Sequence, residues 1–402
     1  MPERLAYQSE NHESTKYGEA LTIVSAPFGK PVNNEELLAL ALDLGLPVKE
    51  MENARHAITA TGFTNRFSSN PPEEEPNTDL AIKGSIENGA KLLTEIMKSH
   101  GWTDGIDVFI DTSAFLPNSI NKEILALAGL NPDHVVSKSY RYACAGAVGA
   151  FIDCLSDPAL KNTRIVIAAL EPLSYVIDKS HFHSPKSISI PAIFGDANTL
   201  IAFTPNRFHL DVKQILIQPD HGVIKLNTLY DFGQMPSNPA STPSHYRFGE
   251  GGESIFRYSE SGAYLKIESP GQGASLSMDG MATGFFFGDQ TASVITDLIL
   301  EHGDTDILRK LNGKNIIMHS ASKPVVDRIA KLLRRSEHRF LDTPELPFLM
   351  DKARQSNGSS ATTLNRWQYM IKNNMMDADL PMLWIAPGIG SAIAGAIGTI
   401  NP

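Results

Sequence analysis

The stretch SYRYACAGAVGAF, residues 139–151, places Cys144 where an apparent strand gives way to small residues and then to helical spacing. Ala143, Ala145 and Gly146 crowd the junction with small side chains, leaving room for a second molecule to approach the sulfur. A thiol at the first turn of a helix meets unpaired N–H groups and the positive end of the helix dipole, and both favour the thiolate. The bland alternative is a buried, inert cysteine. Cys154 is the internal control, since it falls ten positions later on the apolar pattern of the same helix and reads as core.

Outward from this junction the chain alternates short Val- and Ile-rich runs with helical patterns. DVFIDT from Asp107, HVVSKSY from His134, RIVIAAL from Arg164 and TLIAF from Thr199 read as buried strands of an α/β protein. NKEILALAGL is a helix that Gly129 stops. The second half repeats the alternation more loosely. It has a helix over 290–302, the strand NIIMH, helices around KPVVDRIAKLLRR and ATTLNRWQYMIK, and paired strands at PMLWIA and SAIAGAIGT. Two α/β halves are therefore expected, residues 1–205 and 206–402, with a Pro-, Gly- and Ser-dense insertion around 218–263 in the second. The acidic run Glu73 to Glu75 reads as a solvated loop.

Composition narrows the function classes. At 402 residues with 42% hydrophobic and 20% charged residues, the chain has the make-up of an ordinary globular protein. A net charge of -10 argues against a nucleic-acid footprint, which would need clustered Lys and Arg. The polar start MPERLAYQSENHEST lacks the apolar stretch of a secretory signal, and no run reaches the roughly 18 apolar residues of a membrane span. Two cysteines make a disulfide framework improbable and favour a reducing compartment, so the expected location is the cytoplasm. The HFH run at His181 to His183 has no further ligands at useful spacing, so no metal site is expected. The GEGG run from Gly249 lacks the strand, helix and lysine of a phosphate loop.

ACAG around Cys144, followed by IPAIFGDANTLIAF, resembles β-ketoacyl-[acyl-carrier-protein] synthase III, a condensing enzyme of the thiolase superfamily. VNNEELLALA, TATGFTNR and GIDVFIDTSAFLP are similar, in order, to that family's N-terminal segments, and LSMDGMATGFFFGD to a later one. The resemblance implies a thiolase-like fold, two similar α/β halves forming a layered αβαβα core. It also carries residues over. IIMHSASKPVVDRI puts His319 at the family's catalytic histidine, with Ser320 and Ser322 in place of Gln and Asn; SNGSSAT puts Asn357 at its catalytic asparagine, and APGIG puts Gly390 at its glycine turn. Without the family, His319 would read as a hydrogen-bonded strand end and Asn357-Gly358 as a turn.

The chemistry implied is an acyl transfer from a thioester to Cys144, followed by decarboxylative Claisen condensation with a malonyl or β-ketoacyl thioester. The backbone N–H groups of Cys144 and Gly390 would form an oxyanion site, and His319 and Asn357 would donate hydrogen bonds to the enolate. No cofactor is implied; the substrates are acyl-CoA or acyl-carrier-protein thioesters, the partners an acyl carrier protein and a second copy in a homodimer. Three departures point to a specialised fatty-acid or polyketide pathway: no Trp in ARHAITATGF, Ala60 for an arginine, and Ile188 near another arginine of the CoA site. Lys186 or the insertion are the available substitutes. The competing readings are acyl transfer to an oxygen or nitrogen nucleophile without decarboxylation, and a non-catalytic paralogue that completes another subunit's pocket.

Overall fold

A computed structural model describes residues 12–69, 78–114, 116, 119–140, 143–177, 179–217, 224–226, 246–248, 254–256, 265–268, 275–278, 286–342, 356–388 and 392–402. The acidic run Glu73 to Glu75, the GEGG run and most of the 218–263 insertion lie outside these residues. Within that insertion Tyr246–Phe248 and Ser254–Phe256 pair as antiparallel strands, where composition pointed to loop.

Two sheets organise the chain. The first has six strands in the order Glu13–Tyr17, Leu21–Ala26, Ala197–Phe203, Ile165–Glu171, Val108–Asp111, Val136–Ser139. Its last two pairings are parallel and the rest antiparallel. The second runs Ile224–Leu226, Phe208–Ile217, Ala392–Ile400, Met382–Gly388, Ile316–Met318, with only its last pairing parallel. The same succession, an antiparallel hairpin flanked on one side by a parallel strand, thus occurs once in each sheet. The central strands Ile165–Glu171 and Met382–Gly388 are buried at every position, which is why both read as continuous apolar runs rather than alternating ones.

Helices fill the layers around and between the sheets. Thr78–His100 and Ile120–Leu127 cover the outer face of the first sheet, and Thr291–His302 with Lys323–Arg335 the outer face of the second. Gly146–Ser156 and Ser360–Lys372 lie between the sheets and touch both. The order is αβαβα, as expected. Lys323–Arg335 shows how sequence dictates this placement: Pro324 suits the first turn, and Val325, Val326, Ile329, Ala330 and Leu333 are buried while the charged positions face out. The two sandwiched helices are locked by an aromatic cluster. Phe151 stacks on Phe203, Phe208, Trp367 and Trp384 with ring centroids 5.0–5.3 Å apart, each contact worth about 1 kcal/mol beyond the area it buries. Both sandwiched helices begin at the same end of the sheets, and that is where Cys144 and Asn357 meet.

Candidate active site

Cys144 lies in a single 3-10 turn, Ala143–Ala145, that runs directly into the helix Gly146–Ser156. Ala143 has φ +44°, a left-handed conformation that costs a non-glycine residue about 1 kcal/mol or more and is held here by the packing around it. The turn packs against the strand Met382–Gly388, and the following helix starts hard against the first sheet, since a Cβ on Gly146 would sit 3.2 Å from Thr112. Cys144 is completely buried.

Asn357 reaches Cys144 from 213 residues away, with its side-chain Oδ1 4.0 Å from the sulfur. Its position is fixed by backbone. Asn357 N–H donates to the Ile193 carbonyl (2.8 Å), Gly195 N–H donates to the Asn357 carbonyl (3.2 Å), and the neighbouring Ser356 N–H donates to the Asn65 carbonyl (2.9 Å). These bonds need close approach, which two glycines permit: a Cβ on Gly195 would collide with the Ser356 hydroxyl, and one on Gly358 would lie 2.5 Å from the Ala197 Cβ. Asn357 Oδ1 also accepts the Ser359 N–H at 2.8 Å, which pins Ser359 at φ +50° at the entrance of the helix Ser360–Lys372.

His319 follows the strand Ile316–Met318 and is fully buried. Its backbone N–H donates to the Ile385 carbonyl at 2.9 Å, which ties it to the strand against which the Cys144 turn packs. Among the described residues neither ring nitrogen has a hydrogen-bond partner. Burial without a countercharge pushes its pKa down to about 3, so the imidazole is neutral and offers one donor and one acceptor. Gly390 lies outside the described residues.

Two electrostatic findings differ from the sequence expectation. The helix start was expected to favour the thiolate, yet the Cys144 pKa is pushed up to about 12, first by burial and then by the charge of Glu171; Ser359 and Asn357 offset this only in part. Desolvation outweighs the dipole because the sulfur has no solvent contact. Cys154, also buried, is raised by burial as well, so it is the setting and not the pKa that separates the two cysteines.

The second finding is Glu171, which sequence reasoning missed. It ends the strand IVIAALE, is completely buried, and accepts hydrogen bonds from Ala114 N–H (2.9 Å), Ser360 N–H (3.2 Å) and the Ser360 hydroxyl (2.7 Å). Burial raises its pKa to about 8 against the pull of those donors. The signal was present: a lone acid closing an otherwise apolar strand, at the carboxyl end where open α/β sheets place their sites. A buried carboxylate of a different kind, Asp196, accepts from the N–H and hydroxyl of both Ser69 and Ser174 and so ties the Gly195 segment to its neighbours.

No protein-family model matches the chain, and no curated protein matches it in sequence. Solved structures do match in shape. A 1,3,6,8-tetrahydroxynaphthalene synthase from Streptomyces coelicolor, a bacterial type III polyketide synthase, superposes with a TM-score of 0.68 at 15% identity, covering 95% of this chain and 98% of that one. Germicidin synthase from the same organism, another type III polyketide synthase, gives 0.69 at 12% identity over 95% and 98%. A 3-oxoacyl-(acyl carrier protein) synthase III from Pseudomonas aeruginosa gives 0.61 at 15% identity, again over 95% and 98%. The chain has a thiolase-type fold. Ile188 is buried in the apolar core, Ala60 closes the helix Met51–Ala60, and Lys186 is exposed.

Proposed function

We propose that this chain is a condensing enzyme which loads an acyl group onto Cys144 and joins it to a malonyl or β-ketoacyl thioester with loss of carbon dioxide. The observation that carries the reading is the meeting of Cys144 and Asn357 at the start of the two sandwiched helices; it is supported by a buried, neutral His319 whose ring has no partner among the described residues. In the first half-reaction the sulfur attacks the thioester carbonyl at the helix start, where the N–H groups of Cys144 and Gly390 stabilise the oxyanion. In the second, loss of carbon dioxide from a malonyl thioester leaves an enolate. His319 and the Asn357 side-chain amide donate to its oxygen, and the carbanion attacks the acyl group on Cys144. A neutral imidazole suits this role, since it donates without needing to ionise.

The rest of the reading follows from it. The halves 1–205 and 206–402 contribute nucleophile and enolate donors respectively. The protein works without a cofactor, in the cytoplasm, on acyl-carrier-protein or CoA thioesters, and as a homodimer. Among the described residues no helix is long and apolar enough to cross a membrane. The buried Ile188 and the missing Trp favour a carrier-protein donor and a specialised fatty-acid or polyketide product. The test is peptide mapping by mass spectrometry after incubation with a panel of acyl-CoA and acyl-carrier thioesters. Acyl mass on the Cys144 peptide and none on the Cys154 peptide is the expected result; acyl mass on Cys154 alone, or on neither peptide with any donor, sinks the proposal.

A further inference from the structure

Loading Cys144 requires its proton to go somewhere, and His319 is badly placed to take it. The imidazole is fully buried and has no hydrogen-bond partner among the described residues, so an imidazolium there would find no acceptor among them. Ser359 lies on another side of the thiol: its N–H is held by Asn357 Oδ1, which is 4.0 Å from the sulfur, and the next residue, Ser360, is hydrogen-bonded to Glu171. It is 3% exposed and its hydroxyl has no hydrogen-bond partner among the described residues, while it helps to hold down the pKa of both Cys144 and Glu171. The Asn357 side chain holds the Ser359 backbone in its left-handed conformation, so the hydroxyl stays at that junction. A carboxylate has about four acceptor sites. Ala114 and Ser360 fill three on Glu171, which leaves one for Ser359.

We propose that Glu171, working through the Ser359 hydroxyl, accepts the Cys144 proton as the sulfur attacks the incoming thioester and returns it to the departing carrier thiol. The proposal rests on the reading of Cys144 as the nucleophile. The step balances. The S–H bond of Cys144 breaks as its sulfur bonds to the acyl carbon; Ser359 passes its own proton to Glu171 and takes the thiol's. When the tetrahedral intermediate collapses, the carbon–sulfur bond to the carrier breaks, and the proton returns through Ser359 to the leaving sulfur. Nothing is oxidised or reduced, and Glu171 ends as it began. A carboxyl titrating near pH 8 is suited to both directions, because acid–base catalysts work best with pKa values close to the operating pH. The division of labour is then clear: Glu171 and Ser359 move the proton of loading, while His319 and Asn357 serve the enolate.

The experiment is the pH–rate profile of Cys144 alkylation by iodoacetamide, followed by peptide mapping, in the full-length protein and in Glu171→Gln and Ser359→Ala. A relay gives a wild-type rate that rises through a step near pH 8. Both variants lose that step and react roughly a hundredfold more slowly at that pH, the usual size of a general-base contribution. If Glu171 only repels the thiolate, removing its charge makes Glu171→Gln faster than wild type and leaves Ser359→Ala unchanged; either result overturns the proposal. Should Glu171→Gln fail to fold, Ser359→Ala decides alone, since it deletes one hydroxyl and leaves every charge in place. Thioester loading of the same proteins separates the two readings. Wild type that never takes an acyl group on Cys144 removes the nucleophile and the relay together, whereas normal loading in both variants removes the relay only.

Discussion

The charge of Glu171 opposes ionisation of Cys144, and both groups are buried at a cost that pH can expose. Glu171 is raised from the ordinary 4.5 to about 8, so between those values the folded chain holds a proton that the unfolded chain has released. The stability associated with that proton is complete below about pH 4.5 and is lost as pH rises through 8. Between pH 6 and pH 9 the loss is about 3 kcal/mol. Glu171→Gln cannot titrate, so its thermal midpoint should fall less than that of wild type over this range. Parallel midpoint curves for the two proteins would contradict the assignment. At this scale the sequence was half legible. Cys144 stood out because its neighbours are small and a helix follows, and His319 and Asn357 because whole motifs aligned. Glu171 did not, since its meaning depends on Ser360, 189 residues away.

The elements were easier to read than the contacts between them. Apolar runs ending at Gly129 or starting at Pro324 marked their helices within a residue or two, and the final two strands pair as expected, although Ala386, Pro387 and Gly388 of APGIG extend the first of them. What local pattern could not supply is the lock around Asn357, where residues 65, 193, 195 and 356–357 share backbone hydrogen bonds across the chain. Gly358 tests that lock. Its hydrogen faces Ala197, so Gly358→Ala drives two Cβ atoms to 2.5 Å, and neither can swing away. We expect a loss of about 1–3 kcal/mol in urea melts, the usual cost of overpacking. Condensation should also slow more than acylation, because Asn357 moves while the Cys144 turn stays. A variant with wild-type stability and both rates intact would show that the contact is not constraining.

For the whole molecule, the five layers follow from two sheets that each need both faces covered; the alternation of elements pointed to two α/β halves, and the resemblance to synthase III supplied the layering. Assembly was not, because one chain carries no record of its partner. The first sheet ends in Val136–Ser139, a strand without a neighbour on its outer side among the described residues and with Val136 56% exposed. An open edge of this kind invites pairing with a second copy. We expect light scattering at micromolar concentration to give a dimer mass and Val136→Lys, which puts a charge on the exposed edge while leaving its inward hydrogen bond to Asp107 in place, to weaken it; a wild-type monomer would contradict the homodimer.

The central claim is that enolate chemistry follows loading, and the carbon dioxide released from a malonyl thioester by the acyl-loaded protein tests it most directly. Losing one preorganised donor to a developing oxyanion typically costs about 3 kcal/mol, roughly a hundredfold in rate. The account expects release in step with a new carbon–carbon bond, slowed at least a hundredfold in Asn357→Ala while the Cys144 peptide still loads. Wild-type protein that loads Cys144, releases no carbon dioxide from any malonyl thioester and passes its acyl group to an alcohol or amine would contradict it.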